Sequence, residues 1–423
     1  MDRMKRSIQL VGAHGGYNGM KVPLGGGATI FECLVEAWKN HPELSIHMLS
    51  PGPAYSELRQ NSPVPLSISE TTHPASLGYL DYARFSREFE RSSTEHLISR
   101  PRKPDSWVIA NDICEGPDVP RLKAHGYKVI TLVHVDVVDF ITSLYLKRRI
   151  RPEKLTSGWR FLHRMGVTRL FPDILKLIFD KQESAFAHSD FVVVPSLGMK
   201  QTILDCYPYL SSSRVVAIPW GNPSLKPLEP PAPSVLQLWK NRWNIQPDDF
   251  VILTLSRISE EKGIDRLLLA LIELEKIHPT LASRCHAIIV GDAAYMTGPV
   301  YLKHLQRLAG RLKSVRVTFT GHQTGEDKSC AFACAHLYAF LSRHESYGLT
   351  LLEALSAGLP ALISREVEQR QPPHPHIIPV DTSPSSLAHS LAECVRQDRP
   401  SQPDQVAPPL FTEAAGQLLD LMV

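Results

Sequence analysis

Glu345 and Glu353 stand eight positions apart in the stretch 343–360, RHESYGLTLLEALSAGLP, and the residues between them are suited to hold an anion. Ser346, Tyr347 and Gly348 read as a turn leading into Leu349, Thr350, Leu351 and Leu352. If a helix begins near Gly348, the N–H groups of its first turn lack intrahelical acceptors and present partial positive charge to a phosphate. Glu353 falls one turn further in, among Leu351, Leu352, Ala354 and Leu355, where a carboxylate is costly to desolvate unless a partner such as a pair of ribose hydroxyls reaches it. Glu345 stays in the loop, free to accept from a sugar beyond the same phosphate. Gly358 followed by Pro360 ends the helix. The bland alternative is that the helix dipole alone favours an early glutamate and that two glutamates at this spacing are common.

A second constellation lies in residues 256–263, SRISEEKG, between an expected strand at 251–255 and an expected helix from about 265 with Leu268, Leu271 and Leu274 on one face. Arg257 and Lys262 then leave the carboxyl end of a strand in one short loop, where a diphosphate could sit between them. Arg offers a planar fork and Lys a compact charge, a combination suited to a leaving phosphate. Taken alone, such a pair is more often surface charge, with Glu260 and Glu261 at hand as partners.

Together the two stretches resemble the Glu-x7-Glu signature and the Arg-and-Lys-Gly loop of the family 4 retaining glycosyltransferases. The resemblance implies an α/β protein of the GT-B fold, two Rossmann-like domains facing each other across a cleft. It implies transfer of a hexose-type sugar from a UDP-, GDP- or ADP-linked donor to an unknown acceptor, which could be a sugar, a lipid-linked group or a small molecule. It also implies retention of anomeric configuration, no metal ion and no cofactor. Catalytic roles fall to His134, Arg257, Lys262 and Glu345, and donor binding to Gly26, Gly27, Gly291, Gly321, Ser346, Tyr347, Gly348, Leu349 and Glu353. Arg257, Lys262 and the amides near Gly348 and Leu349 would stabilise the departing phosphate, a task in which losing one donor costs about 3 kcal/mol. The sequence has no Asp-x-Asp triplet of the kind that holds a divalent cation.

The elements that must position these residues alternate strand and helix, as in parallel sheets covered on both faces. Strands are expected at 7–11, 44–49, 107–110, 128–133, 191–194 and 214–218, then at 251–255, 286–290, 315–320 and 337–342. Gly25, Gly26 and Gly27 follow the first strand and open a helix over about 28–40, where backbone can approach a phosphate; a glycine-rich surface loop is an equal reading of the residues alone. His134 ends the fourth strand, where it either lies beside the transferred sugar or satisfies a loop carbonyl; the resemblance favours the former, with Asp136 orienting it. Gly291 and Gly321 end two further strands and are expected to bring backbone groups to a nucleobase edge. Beyond Ser364, residues 370–379 hold prolines and histidines where the family has a glycine-containing loop and a clear strand. His374 and His376 lack the further spaced ligands a metal site needs.

The proline-rich stretch after residue 220 marks a semi-rigid linker. The expected organisation is a first domain at 1–220, the linker at 221–235, a nucleotide-sugar domain at 236–400, and a tail and helix at 401–423 packing back on the first domain. A length of 423 residues accommodates two domains, and 43% hydrophobic with 21% charged residues is the balance of a globular protein. A formal charge of +3 does not by itself indicate nucleic-acid binding. The N-terminal apolar run breaks at His14, Gly15 and Gly16, no run of 18 apolar residues occurs, and the seven scattered cysteines suit a reducing compartment, so a cytoplasmic location is expected. Between residues 147 and 169 there are eight Lys or Arg against Glu153 alone, interleaved with Trp159, Phe161, Leu162 and Met165. That segment reads as a solvated helix face, a patch for an acidic acceptor, or a peripheral contact with anionic lipid. Three rival classes remain: a sugar-nucleotide epimerase of the same fold, a catalytically silent nucleotide-sugar-binding subunit, and, for a chain this short, the less favoured glycan phosphorylase.

Overall fold

The computed structural model describes residues 5–17, 25–55, 57–61, 63, 66–69, 72–223, 230–293, 298–398 and 407–423. These separate into two compact units, Met1–Leu225 with Phe411–Val423, and Lys226–Leu410. Much of the expected linker, and the start of the expected C-terminal tail, lie outside the described residues.

The first unit is built on strands β1 (Arg6–Val11), β2 (Leu44–Leu49), β3 (Ser106–Ala110), β4 (Lys128–Leu132), β5 (Phe191–Val194) and β6 (Val215–Ala217), in the order β2-β1-β3-β4-β5-β6. All pairs are parallel, with Ile8 beside both Ile46 and Trp107. Such strands lose both faces to helices, which is why SWVIA of β3 is buried at every position. The Gly26–Trp38 helix covers part of this sheet through Ala28, Ile30, Phe31, Leu34 and Trp38, an apolar stripe at helical spacing.

The second unit repeats the scheme with β7 (Phe250–Leu255), β8 (Cys285–Val290), β9 (Arg316–Gly321), β10 (Leu337–Phe340), β11 (Ala361–Ser364) and β12 (Ile377–Val380), ordered β12-β11-β10-β7-β8-β9. The Ile264–Ile277 helix packs Leu267, Leu268, Leu271 and Leu274 into its core. Strand β12 forms despite Pro379, because it is an edge strand and needs hydrogen bonds on one side only. No helix among the described residues is long and apolar enough to cross a membrane. All seven cysteines are free.

The last helix, Phe411–Asp420, belongs to the first unit. The Phe411 N–H donates to the Asn222 carbonyl at 3.0 Å, and its ring, wholly buried, lies 6.4 Å from that of Trp220. Phe411→Ala should therefore cost the first unit about 3 to 5 kcal/mol. The check is denaturant unfolding followed by tryptophan fluorescence, where the midpoint should fall.

Candidate functional site

In each unit the strand order reverses direction at one place, and the loops leaving the carboxyl ends of the two strands there diverge to form a natural binding crevice. In the second unit the reversal falls between β7 and β10, which pair side by side. The loop after β7 carries Arg257 and Lys262, and the loop after β10 carries Glu345 and leads to Gly348. Parallel pairing thus places residues 83 positions apart at one sheet edge: the Lys262 ammonium donates to Glu345 Oε2 at 2.6 Å. Both side chains are mostly buried, so each compensates the other's lost hydration. An ammonium has three donors, and this pairing uses one.

The β7 loop is fixed from beneath. Gly263 has φ +64°, and a Cβ there would lie 2.2 Å from the Leu341 carbonyl oxygen, so only glycine lets the loop rest on the end of β10. Arg343 clamps the same loop: its amide donates to the Glu261 carbonyl at 2.7 Å, and its guanidinium donates to the Glu260 carbonyl and to both oxygens of Asp265. Burial works against ionisation of Asp265, but bonds from Arg343 and Tyr301 outweigh it and hold the carboxyl below its ordinary range. Arg257 sits 3.7 Å from Glu261.

Gly291 and Gly321 end β8 and β9 and take positive φ. The Gly291 N–H donates to the Gly321 carbonyl at 2.9 Å, linking the two strand ends. A Cβ on Gly291 would lie 1.8 Å from the Ser256 carbonyl oxygen, so this glycine lets the Arg257 loop pass close overhead.

The Leu349–Ser356 helix starts as the sequence suggests, with Gly348 as its N-cap and Ser346 and Tyr347 buried before it. The Gly348 and Leu349 amides, however, are occupied. The Gly348 N–H donates to Gln371 Oε1 at 3.0 Å and the Leu349 N–H to the Tyr347 carbonyl at 3.1 Å. Gln371 reaches that place because the 365–376 segment passes beneath the Glu345 turn; next to it, Arg370 donates to His344 Nε2 at 3.2 Å and contacts the Glu345 carbonyl. Glu353 is buried as expected, and the partner that reaches it is the Lys328 ammonium from the Gly325–Cys334 helix.

In the first unit the reversal falls between β1 and β3. Asn111, just past β3, accepts from His134 Nε2 at 3.1 Å and donates to the Gly27 carbonyl at 3.0 Å, tying the ends of β4 and β3 to the first turn of the Gly26–Trp38 helix. Gly27 packs on the imidazole, since a Cβ would come within 3.0 Å of His134 Cδ2, while Gly26 is exposed. Asp136 does not orient His134: its carboxylate caps the Val137–Leu144 helix through the Val138 and Asp139 amides. Loss of solvent, reinforced by His14, pushes His134 down to about 4, so the ring is neutral and its Nε2–H tautomer is set by Asn111.

The expected site residues thus form two groups, one per unit. Lys328, Arg370, Gln371 and Asn111 join them without having been foreseen. Glu353, a lone carboxylate in an apolar helix, signalled only that some partner must reach it, for which ribose hydroxyls were expected; within the protein that partner is Lys328. Among the described residues no cluster of His, Cys, Asp or Glu has the make-up of a metal site; His374 and His376 pack edge to face, and the His376 N–H donates to His374 Nδ1 at 3.2 Å.

Two six-stranded parallel sheets, each reversing at one point, define the GT-B fold, and solved structures bear this out over nearly the whole chain. Sucrose-phosphate synthase from Thermosynechococcus elongatus aligns with a TM-score of 0.64 at 16% identity, covering 99% of this chain and 98% of that one. Anabaena HepE, solved in complex with UDP and glucose, aligns at 0.61 and 16%, covering 99% and 97%. Residues 237–370, within the second unit, match the family described as "Glycosyl transferases group 1". Over 118 residues the chain is 29% identical to mannosylfructose-phosphate synthase of Agrobacterium fabrum, covering 27% of this chain. The chain spans about a quarter of the length of the curated relatives it matches, 25% and 28% for the first two.

Burial likewise pushes His73 and His286 down to about 4. Histidines depressed below their unfolded value of about 6.5 lend stability that is complete above that value and is lost as pH falls through 4, because the unfolded chain takes up protons the folded one refuses. Melting temperature should therefore fall between about pH 6.5 and 4, and His134→Gln should flatten part of the slope.

Proposed function

We propose that this chain transfers a hexose-type sugar from a nucleotide diphosphate sugar to an acceptor, with retention of anomeric configuration. The observation that carries the reading is the Lys262–Glu345 pair at the strand reversal of the unit whose residues 237–370 match the group 1 glycosyltransferase family. The bond from the anomeric carbon to the diphosphate breaks with negative charge growing on phosphate. Lys262, with two donors still to give, and Arg257, with its fork, stabilise that charge where it develops. Because the cations are the protein's own, the reading needs no divalent ion. Retention follows if the acceptor attacks the face from which the diphosphate leaves, its proton passing to a phosphate oxygen. Glu345 holds Lys262 and accepts from a sugar hydroxyl, and Glu353 with Lys328 serves the ribose side.

Since Anabaena HepE was solved with UDP, uridine donors are the first to test. Melting temperature measured with UDP, GDP and ADP sugars should rise with one of them by mass action. Lys262→Ala and Glu345→Gln should each lower turnover by about 10²- to 10³-fold with the fold intact by circular dichroism. Near-native turnover in both would overturn the assignment, and an isomerised donor formed without acceptor would replace it with an epimerase.

The Gly348 amide also belongs to this reading: a diphosphate oxygen takes the place of the Gln371 carboxamide. Gln371→Ala removes that competitor and should tighten UDP binding by about 1 kcal/mol, roughly fivefold, measured by calorimetry. Weaker binding would show instead that the carboxamide contacts the donor.

A further inference from the structure

The segment from Tyr145 to Leu170 has a surface that the site does not use. Five large apolar side chains face solvent there: Tyr145 is 65% exposed, Ile150 41%, Phe161 61%, Met165 63% and Leu170 88%. A solvated helix face does not need them, and an exposed apolar group rimmed by charge marks an interaction surface. Most of the cations between them lack a carboxylate as well. Arg151 lies 3.7 Å from Glu153 and Arg160 4.0 Å from Glu183, but among the described residues Lys147, Arg148, Arg149, Lys154 and Arg169 have no carboxylate partner.

The framework holds this surface outward. On the Pro152–Arg164 helix, Thr156 and Trp159 face inward. Trp159 stacks on Phe179 at 4.6 Å and donates to Asp180 at 2.6 Å, within a small apolar cluster of Val138, Trp159 and Phe179. Lys154, Gly158, Phe161 and Met165 recur at helical spacing on the opposite, exposed side, and a Cβ on Gly158 would meet nothing. Before this helix, Lys147 and Arg148 both take positive φ, +47° and +54°, in a turn held by the Arg148 and Arg149 amides. Two consecutive left-handed residues with side chains cost roughly 1 to 2 kcal/mol each. Strain of this kind, at a turn that displays three successive cations, is the sort that function maintains.

We propose that residues 145–170 form a docking surface for an anionic lipid bilayer, on which the first unit lies without spanning it. The cations meet the headgroup phosphates, while Phe161, Met165 and Leu170 enter the boundary between headgroups and acyl chains. Charge complementarity selects the occupant: seven exposed cations, with Arg160 turned inward toward Glu183, oppose a negative surface, and aliphatic and aromatic groups among them suit a surface with an apolar layer beneath. A soluble polyanion would use the cations alone.

The test is cosedimentation of the full chain with vesicles of phosphatidylcholine alone and of phosphatidylcholine with about a third phosphatidylglycerol. The chain should pellet with the anionic vesicles only, and detach at about 1 M salt, where the screening length falls to ~3 Å. Arg148→Glu with Arg149→Glu should weaken binding about tenfold or more. The triple variant Phe161→Ser, Met165→Ser, Leu170→Ser should also release the chain, although it keeps every cation. Failure to bind anionic vesicles overturns the proposal. So does full binding by the triple variant, which would make this a polyanion surface, and so does equal binding to neutral vesicles. UDP binding measured on the same variants should be unchanged, which separates this surface from the sugar-transfer reading.

Discussion

The ion pair between Lys262 and Glu345 is the constraint from which the second unit's site follows. It joins two loops that the chain reaches 83 residues apart, and it exists because β7 and β10 are neighbours at the point where the sheet reverses. Removing either partner would leave an unbalanced charge in a poorly solvated place, which is costly. The same pairing leaves the ammonium with donors to spend, so the group that holds the loops together is also the one that can meet an anion.

Around that pair the backbone has been brought closer than side chains allow. Gly263 rests on the Leu341 carbonyl and Gly291 beneath the Ser256 carbonyl, and Arg343 closes the loop over Asp265. Positioning is thus done by glycines, by a clamp that touches no ligand, and by strand pairing. The first unit solves the equivalent problem with neutral groups: Asn111 bridges His134 and the Gly27 carbonyl, so no charge is fixed at that reversal by these three residues.

Much of this was legible in the residues. Strands of Val and Ile bounded by glycine announce two parallel sheets, and the order of loops along the chain places Arg257, Lys262 and Glu345 at strand ends. Side-chain pairing across loops was not legible, since sequence separation says nothing about which cation meets which carboxylate. Lys262 could have paired with Glu260 or Glu261 next to it, and chose Glu345. Glu353 called for a partner but could not say that Lys328 supplies it. Gln371 was invisible, because a glutamine in a proline-rich loop carries no signal of the amide it caps. Strand β12 was obscured by Pro379, whose effect depends on whether the strand is central or at an edge.

That proline has a bearing on how the molecule behaves in company. A proline fits a ladder only where its nitrogen points away from the neighbouring strand, so the outward margin of β12 presents a broken row of donors. A strand from another copy laid along it would find no bond at that rung, which guards against edge-to-edge stacking of sheets into fibrils.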